Sequence, residues 1–302
     1  MLTAYAGLPA VTTVRAAASI RTVAITPWPV PAGTVVVDTR PGSVCRRQSV
    51  AGALCLAPSM LLGPRGRLVS WRNIRWLLGT MGLTGTETAV VAGDDATADD
   101  FVAGILYVAG QRRVEVAVHP LTAWLARHPH ATGSGATRGV FREAIYTAWP
   151  RTRLVVLRRE LQRFVRGGPD ACVGDGGPRD CDREARRAWS HGIHIPRAVA
   201  LPMDDRGPLS AVKAVPVPKT RRVIACGVGS YGSVAYFARL RMRGVRARVF
   251  IGGWCDGAAH APGIAVLRKN RPTGPSHPAN VLAAVSVSAA LMMLIWRMAR
   301  RR

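Results

Sequence analysis

A cysteine stands where a predicted strand meets a glycine-rich stretch. Cys226 follows the strand-like residues 222–225 and precedes Gly-Val-Gly-Ser-Tyr-Gly-Ser at 227–233. Glycines let a loop curl so that successive backbone N–H groups face one point, and the N-terminus of a following helix adds partial positive charge. Because both effects favour thiolate over thiol, the pattern predicts a sulfur nucleophile at Cys226. The alternative is a buried structural cysteine.

Alternating strand-like and helix-like segments surround this cysteine. A helical stretch at 234–240 follows it, and a strand at 245–251 runs into Gly-Gly-Trp at 252–254. Upstream lie a helical stretch at 157–165, Cys-Val-Gly-Asp-Gly-Gly-Pro at 172–178 and His-Ile-Pro-Arg-Ala at 194–198. Such alternation predicts an α/β fold with a mainly parallel sheet.

The order of these segments resembles the rhodanese family of sulfurtransferases. That family has an Asp-x-Arg-Pro turn, a Gly-His-Ile-Pro-Gly-Ala turn, a cysteine loop and a Gly-Gly-Trp turn. Similar features fall here at 175–178, 193–198, 226–233 and 252–254. Two positions depart from the pattern, because Gly177 stands where the family usually has Arg and Arg197 where it usually has Gly.

The first half resembles the same module. Residues 35–41 match the strand and Asp-x-Arg-Pro turn, 50–56 resemble the Ile-Pro-Gly-Ala turn, and 114–124 match the last strand and its Trp. Residues 89–94 take the place of the cysteine loop, with Asp94 and its neighbours instead of a cysteine. An inert copy followed by a cysteine-bearing copy resembles the two-domain thiosulfate and 3-mercaptopyruvate sulfurtransferases. Two ordered sets of motifs in one chain are harder to obtain by accident than one.

We therefore expect an α/β protein of two tandem rhodanese-like domains, each a mainly parallel sheet flanked by helices, with a C-terminal transmembrane helix. A chain of 302 residues has room for two domains. The expected order is a targeting segment at 1–29, an inactive domain at 30–127, a linker at 128–150, a catalytic domain at 151–262, a second linker at 263–278 and a membrane anchor at 279–297.

The two ends carry the expectations about location. The first two dozen residues contain arginines but no acidic residue, which is typical of a mitochondrial presequence; a disordered N-terminus is the alternative. Residues 281–296 are uncharged and apolar on all sides, and arginines follow at 297 and 300–302. This pattern predicts a membrane anchor with a basic tail, resembling tail anchors of mitochondrial membranes.

Charge and cysteine content limit the other classes. The formal net charge is +25, but the arginines are scattered and no nucleic-acid-binding signature is present, so we expect a cationic surface that attracts small anions and no nucleic-acid partner.

The six cysteines show no metal-ligand spacing, nothing requires a disulfide, and a reducing compartment fits. Cys255, directly after the Gly-Gly-Trp turn, is either a resolving thiol or a bystander.

The predicted chemistry is sulfur transfer through a persulfide on the catalytic Cys226, with no metal or organic cofactor. The partners would be a small anionic sulfur donor and a thiol or cyanide acceptor. The resemblance implies basic residues around the entrance, with Arg197 as the first candidate; a solvated surface arginine is the alternative. Loop amides and hydroxyls would hold the persulfide and the substrate, from Gly227, Val228, Gly229, Ser230, Tyr231 and Ser233.

Two other functions are weighed against this one. Some rhodanese-like proteins are dual-specificity phosphatases with a Cys-x5-Arg loop, but the sixth residue after Cys226 is Gly232 and the loop has no arginine to bind a phosphoryl group. A non-catalytic, membrane-tethered binding module stays open, since a fold alone does not dictate chemistry.

Overall fold

The computed structural model describes residues 19–24, 29–137, 144–166, 171–175, 198–200, 222–227 and 229–252. Strands and helices alternate along these residues. The twelve strands found there are β1 (Ser19–Val23), β2 (Thr34–Asp38), β3 (Ser49–Val50), β4 (Leu54–Cys55), β5 (Thr88–Ala92), β6 (Arg113–Ala117), β7 (Thr132–Gly133), β8 (Val155–Val156), β9 (Ala171–Asp175), β10 (Ala198–Ala200), β11 (Arg222–Cys226) and β12 (Ala247–Phe250).

Six α-helices lie in the same part of the chain, with short 3-10 turns between them. Ser70 and Asp95 cap two of them, each accepting a hydrogen bond from a backbone N–H of the first turn. The helices are α1 (Gly42–Arg47), α2 (Trp71–Thr80), α3 (Ala96–Ala109), α4 (Leu121–Arg127), α5 (Arg158–Arg166) and α6 (Gly229–Met242).

Two five-stranded parallel sheets organise the described residues. The first has the order β1-β6-β5-β2-β4 and the second the order β8-β12-β11-β9-β10. When the five strands of each sheet are numbered 1 to 5 in chain order, both sheets have the same spatial order, 1-5-4-2-3. In each sheet the fourth strand is central, so the residue that ends this strand lies in the middle of the carboxyl edge, where open α/β sheets bind ligands.

Helices α3 and α6 pack against each other and join the two sheets through one hydrophobic core. Gly104 of α3 makes close approach possible, because a Cβ atom there would lie 2.6 Å from Val234 Cγ1. Almost every residue of α3 after its first turn is buried. Asp100 is buried as well, and its carboxylate pairs with Arg239 of α6. A helix that is mostly apolar on all sides is expected when its neighbours cover all its faces.

The structure corrects the expectation that nothing in the chain requires a disulfide. Cys45 of α1 and Cys55 of β4 are bonded, with a Cα–Cα distance of 5.7 Å. The pairing follows from the register of the sheet, because Cys55 lies beside Asp38 at the end of β2 and α1 begins only a few residues after that end. Gly135 packs on the two sulfurs, and a Cβ atom there would lie 2.4 Å from Cys45 Sγ.

The expected α/β class with mainly parallel sheets is confirmed. The proposed boundaries of two tandem domains stay predictions. Within the described residues no helix is both long and apolar enough to cross a membrane. The expected anchor at 279–297 lies outside those residues, and so does most of the expected targeting segment at 1–29, of which residues 19–23 form β1.

Candidate active site

Cys226 is the last residue of β11, the central strand of the second sheet. Residues 223–225 before it are buried, as expected for a central strand covered on both faces. Its own thiol is 1% exposed and not part of a disulfide. Helix α6 begins at Gly229, so two residues separate the sulfur-bearing residue from the helix N-terminus.

This tight connection corrects the expected length of the glycine-rich loop. The sequence predicts a loop through Ser233 with a helix from residue 234, but residues 229–233 are already helical. Gly229 begins the helix with φ +64°, a conformation that side chains disfavour. The first N–H groups of a helix have no intrahelical acceptor and carry partial positive charge. That charge therefore lies closer to Cys226 than the sequence predicts.

Gly227 and Ser233 fasten the connection to the first turns of the helix. The Gly227 N–H donates to Ser233 Oγ over 2.9 Å, and the Ser233 hydroxyl donates back to the Gly227 carbonyl over 3.2 Å. A Cβ atom on Gly227 would lie 2.6 Å from the carbonyl carbon of Gly232, so no other residue type fits without movement. Both groups were expected to bind the substrate or persulfide; in the structure they bind each other.

The first turn of α6 also contacts the first half of the chain. The Leu68 N–H donates to Ser230 Oγ over 3.3 Å, and the rings of Tyr231 and Phe101 lie 4.9 Å apart. Leu68 belongs to a short hairpin-like segment in which Leu62 and Leu68 form a β-bridge. Sequence reasoning missed these contacts, because nothing local in residues 62–68 indicates which distant helix they touch.

The register of the second sheet places Asp175, the end of β9, beside Cys226. This Asp begins the segment that resembles an Asp-x-Arg-Pro turn, so the structure brings together two of the motifs predicted to form the site. Val228, Arg197 and Cys255 lie outside the described residues, as do all of 176–197 and the end of the Gly-Gly-Trp turn.

The equivalent place in the first sheet has no nucleophile. There Asp38 at the end of β2 pairs in register with Ala92 at the end of β5, so Ala92 takes the position of Cys226. Thr122 donates its N–H to Asp94 Oδ1 over 2.8 Å and its hydroxyl to Oδ2 over 2.5 Å. Arg40 lies against the same group, with Nη1 3.1 Å from Thr122 Oγ1 and 3.9 Å from Asp94 Oδ2.

Buried Arg40 also binds the buried carboxylate of Asp38, through Nη2 at 2.7 Å and Nε at 3.1 Å. Ser49 donates to the same carboxylate over 2.7 Å. Charged and hydroxyl side chains thus occupy the carboxyl edge of the first sheet, at the place where the second sheet has the Cys226 thiol. In the part of the chain with described side chains, no group of three His, Cys, Asp or Glu residues could hold a metal ion.

No protein-family model matches the chain, and no curated protein matches it in sequence. Solved structures do match in fold. SseA of Escherichia coli, a 3-mercaptopyruvate sulfurtransferase, is 16% identical with a TM-score of 0.57 over 74% of this chain and 93% of SseA. Tum1 of Saccharomyces cerevisiae is 12% identical with a TM-score of 0.57, over 83% of this chain and 92% of Tum1.

A third match is a probable thiosulfate sulfurtransferase, 21% identical with a TM-score of 0.52, over 76% of this chain and 96% of the other. Identities this low establish a shared fold and not a shared activity. The chain has the rhodanese fold, as its motifs predicted.

Proposed function

We propose that this protein is a sulfurtransferase that moves sulfane sulfur from thiosulfate or 3-mercaptopyruvate to a thiol or cyanide, through a persulfide on Cys226. The observation that carries the proposal is the position of Cys226, a thiol at the carboxyl end of a central parallel strand, directly before a helix N-terminus. The fold is one that known sulfurtransferases share, and an anionic sulfur would be stabilised at that helix end.

The reaction has two displacement steps. The Cys226 thiolate attacks the outer sulfur of thiosulfate, the S–S bond of the donor breaks, and sulfite leaves with the electron pair. Cyanide or an acceptor thiolate then attacks the outer sulfur of the persulfide, and the Cys226 thiolate is the leaving group. With 3-mercaptopyruvate the C–S bond breaks instead, and the carbanion that leaves takes up a proton to give pyruvate. No oxidant or metal is needed in either step.

Each residue around the thiol has a part in this proposal. Backbone N–H groups of Val228, Gly229, Ser230 and Tyr231 stabilise the persulfide anion. The Gly227 N–H is engaged by Ser233, and this pair holds the connection in shape instead. Arg197 is the proposed cation that attracts the donor.

The test is steady-state kinetics with thiosulfate and with 3-mercaptopyruvate as donors and cyanide as acceptor, followed as thiocyanate. We expect the parallel-line pattern of a double displacement with at least one donor, because the donor product leaves before the acceptor binds. Cys226→Ser should reduce the rate to that of a blank without protein. Cys172→Ser, which changes another cysteine of the same sheet, should retain it. Equal rates in wild type and Cys226→Ser would overturn the proposal.

One observation favours a second candidate, a non-catalytic rhodanese-like binding module. Cys226 is 1% exposed, and the hydroxyls of the two serines in the first helical turns, Ser230 and Ser233, already have protein partners. A buried thiol reacts only when a donor can reach it. A binding module would show no donor-dependent change at Cys226, whereas an enzyme would acquire sulfur there.

Membrane attachment through residues 279–297 and a mitochondrial location are further proposals, and the sequence pattern alone supports them. Cell fractionation of the full chain and of a chain lacking residues 279–302 tests both. We expect the full chain in mitochondrial membranes and the shortened chain in the soluble fraction. Membrane association that survives the deletion would contradict the anchor, and a full chain found in another compartment would contradict the location.

A further inference from the structure

A groove of about 560 Å³ lies between α2 and the extended segment 144–150. Its volume falls within the roughly 300–1,000 Å³ typical of small-molecule sites. The proposed sulfur chemistry uses none of the residues that form it. The side chains that matter for binding are Trp71, Arg72, Arg75 and Trp76 of α2, with Ile145 and Tyr146 of the segment.

The segment that forms one wall is held against the helix by specific contacts. Gly79 allows the approach, because a Cβ atom there would lie 2.4 Å from the carbonyl oxygen of Ala144. Arg75 Nη2 donates to the Tyr146 carbonyl over 3.1 Å. Tyr146 itself is buried, and its hydroxyl lies 3.4 Å from Gln111 Oε1. Segment 144–150 is therefore held both by α2 and by Gln111, so the groove is preformed.

Arg75 lines this groove and is partly exposed. Its Nε is buried from solvent and has no hydrogen-bond partner within the part of the chain that the structure describes, so the rest of the guanidinium group is what a ligand in the groove can contact. An oxyanion is the acceptor that satisfies guanidinium nitrogens best.

Charge and shape restrict the ligand further. Exposed Arg72 lines the same groove, so the described lining residues carry two positive charges and no carboxylate. Trp76 is 55% exposed and Ile145 77% exposed. Large apolar side chains left exposed together mark binding surfaces.

We propose that this groove binds a small molecule that carries a carboxylate or a phosphate on an apolar or aromatic body. The anion lies at the guanidinium group of Arg75, and Arg72 adds charge from the rim. The body of the ligand packs on Trp76 and Ile145. This inference stands independently of the chemistry proposed for Cys226.

The test is isothermal titration of the full chain with phenylphosphate, with phenylacetate and with the neutral benzyl alcohol. We expect saturable binding of at least one anion and none of the alcohol, and the tighter anion identifies whether the site prefers phosphate or carboxylate. Arg72→Gln and Trp76→Ala should each weaken binding several-fold, and Arg75→Gln tenfold or more, because it removes the guanidinium charge that holds the anion. Arg47→Gln, an exposed arginine on α1, should leave the affinity unchanged.

Arg72 is exposed, so its variant tests the site even if Arg75→Gln fails to fold. Three results would overturn the proposal: no saturable binding of either anion at concentrations up to about 10 mM, benzyl alcohol binding as tightly as the anions, or unchanged affinity in both Arg72→Gln and Trp76→Ala.

Discussion

At the scale of single residues, the Cys226 connection is built by two small side chains. Gly227 allows the strand end to touch the helix backbone at Gly232, and Ser233 bonds both the N–H and the carbonyl of Gly227. The thiol is thus held by groups that do not react themselves. Sequence spacing singled out Cys226 and the glycines, because a cysteine at a strand end indicates a nucleophile and glycines indicate a tight turn.

The role of Ser233 could not be predicted in the same way. Its bonds to Gly227 depend on α6 beginning at Gly229, five residues earlier than the sequence indicated. A hydroxyl expected in a loop can face a ligand, whereas one in the first turns of a helix reaches back to the preceding residues. In the structure its hydrogen bonds go to Gly227, and its contact with a substrate stays a prediction.

Gly227→Ala should impair both stability and sulfur transfer. A methyl group there meets backbone atoms of Gly232 and Ser233 at 2.6–2.7 Å, which forces α6 away from the strand end. Overpacking of this kind costs about 1–3 kcal/mol. Urea denaturation and thiocyanate formation are the measurements. Gly42→Ala is the control, because a Cβ atom at Gly42 meets nothing within 4 Å; equal stability of the two variants would contradict the account.

At the scale of elements, the position of α6 depends on α3. The two helices pack closely around Gly104, and the buried Asp100–Arg239 ion pair crosses their interface. Because only two residues separate Cys226 from the start of α6, any shift of α3 is passed to the turn that follows the thiol. The first half of the chain, which has no sulfur nucleophile at the equivalent register position, therefore supports the site structurally.

Asp100→Asn should lower the free energy of unfolding by about 3–5 kcal/mol, because it leaves the largely buried Arg239 without its counter-charge. Glu160→Gln provides a matched comparison. Its partner Arg248 donates from Nη2 over 3.1 Å and lowers the pKa of Glu160, but both side chains are about one-third exposed. An exposed pair contributes about 0–1 kcal/mol. Urea unfolding that shows equal losses in the two variants would contradict this assignment.

The sequence predicted the elements better than the contacts between them. The strands ending at Asp38, Ala92 and Cys226 were all expected, since short runs rich in valine and alanine bounded by glycine or aspartate are typical of buried parallel strands. The Cys45–Cys55 disulfide was not expected, because it depends on the pairing of β2 with β4. Sequence separation alone does not reveal such a pairing.

At the scale of the whole molecule, two sheets with one strand order present two different carboxyl edges. The first edge holds the network of Asp38, Arg40, Asp94 and Thr122, in which protein groups satisfy one another. The second presents Cys226 beside Asp175. A fold alone does not dictate activity, but a thiol at one edge and a closed polar network at the other support placing the proposed sulfur chemistry in the second half.

The net charge of +25 belongs to this scale as well. A cationic surface raises the local concentration of small anions and speeds their encounter with a site. Thiosulfate and 3-mercaptopyruvate are both anions, so the charge suits the proposed donors. It also suits the anionic ligand proposed for the groove beside α2.

The most direct measurement is the intact mass of the protein after incubation with thiosulfate and, separately, with 3-mercaptopyruvate. The account predicts a gain of one sulfur atom with at least one donor, its loss on adding cyanide, and no gain in Cys226→Ser. A folded wild-type protein whose mass changes with neither donor, although Cys226 can be titrated with a thiol reagent, would contradict the sulfurtransferase and favour the binding module.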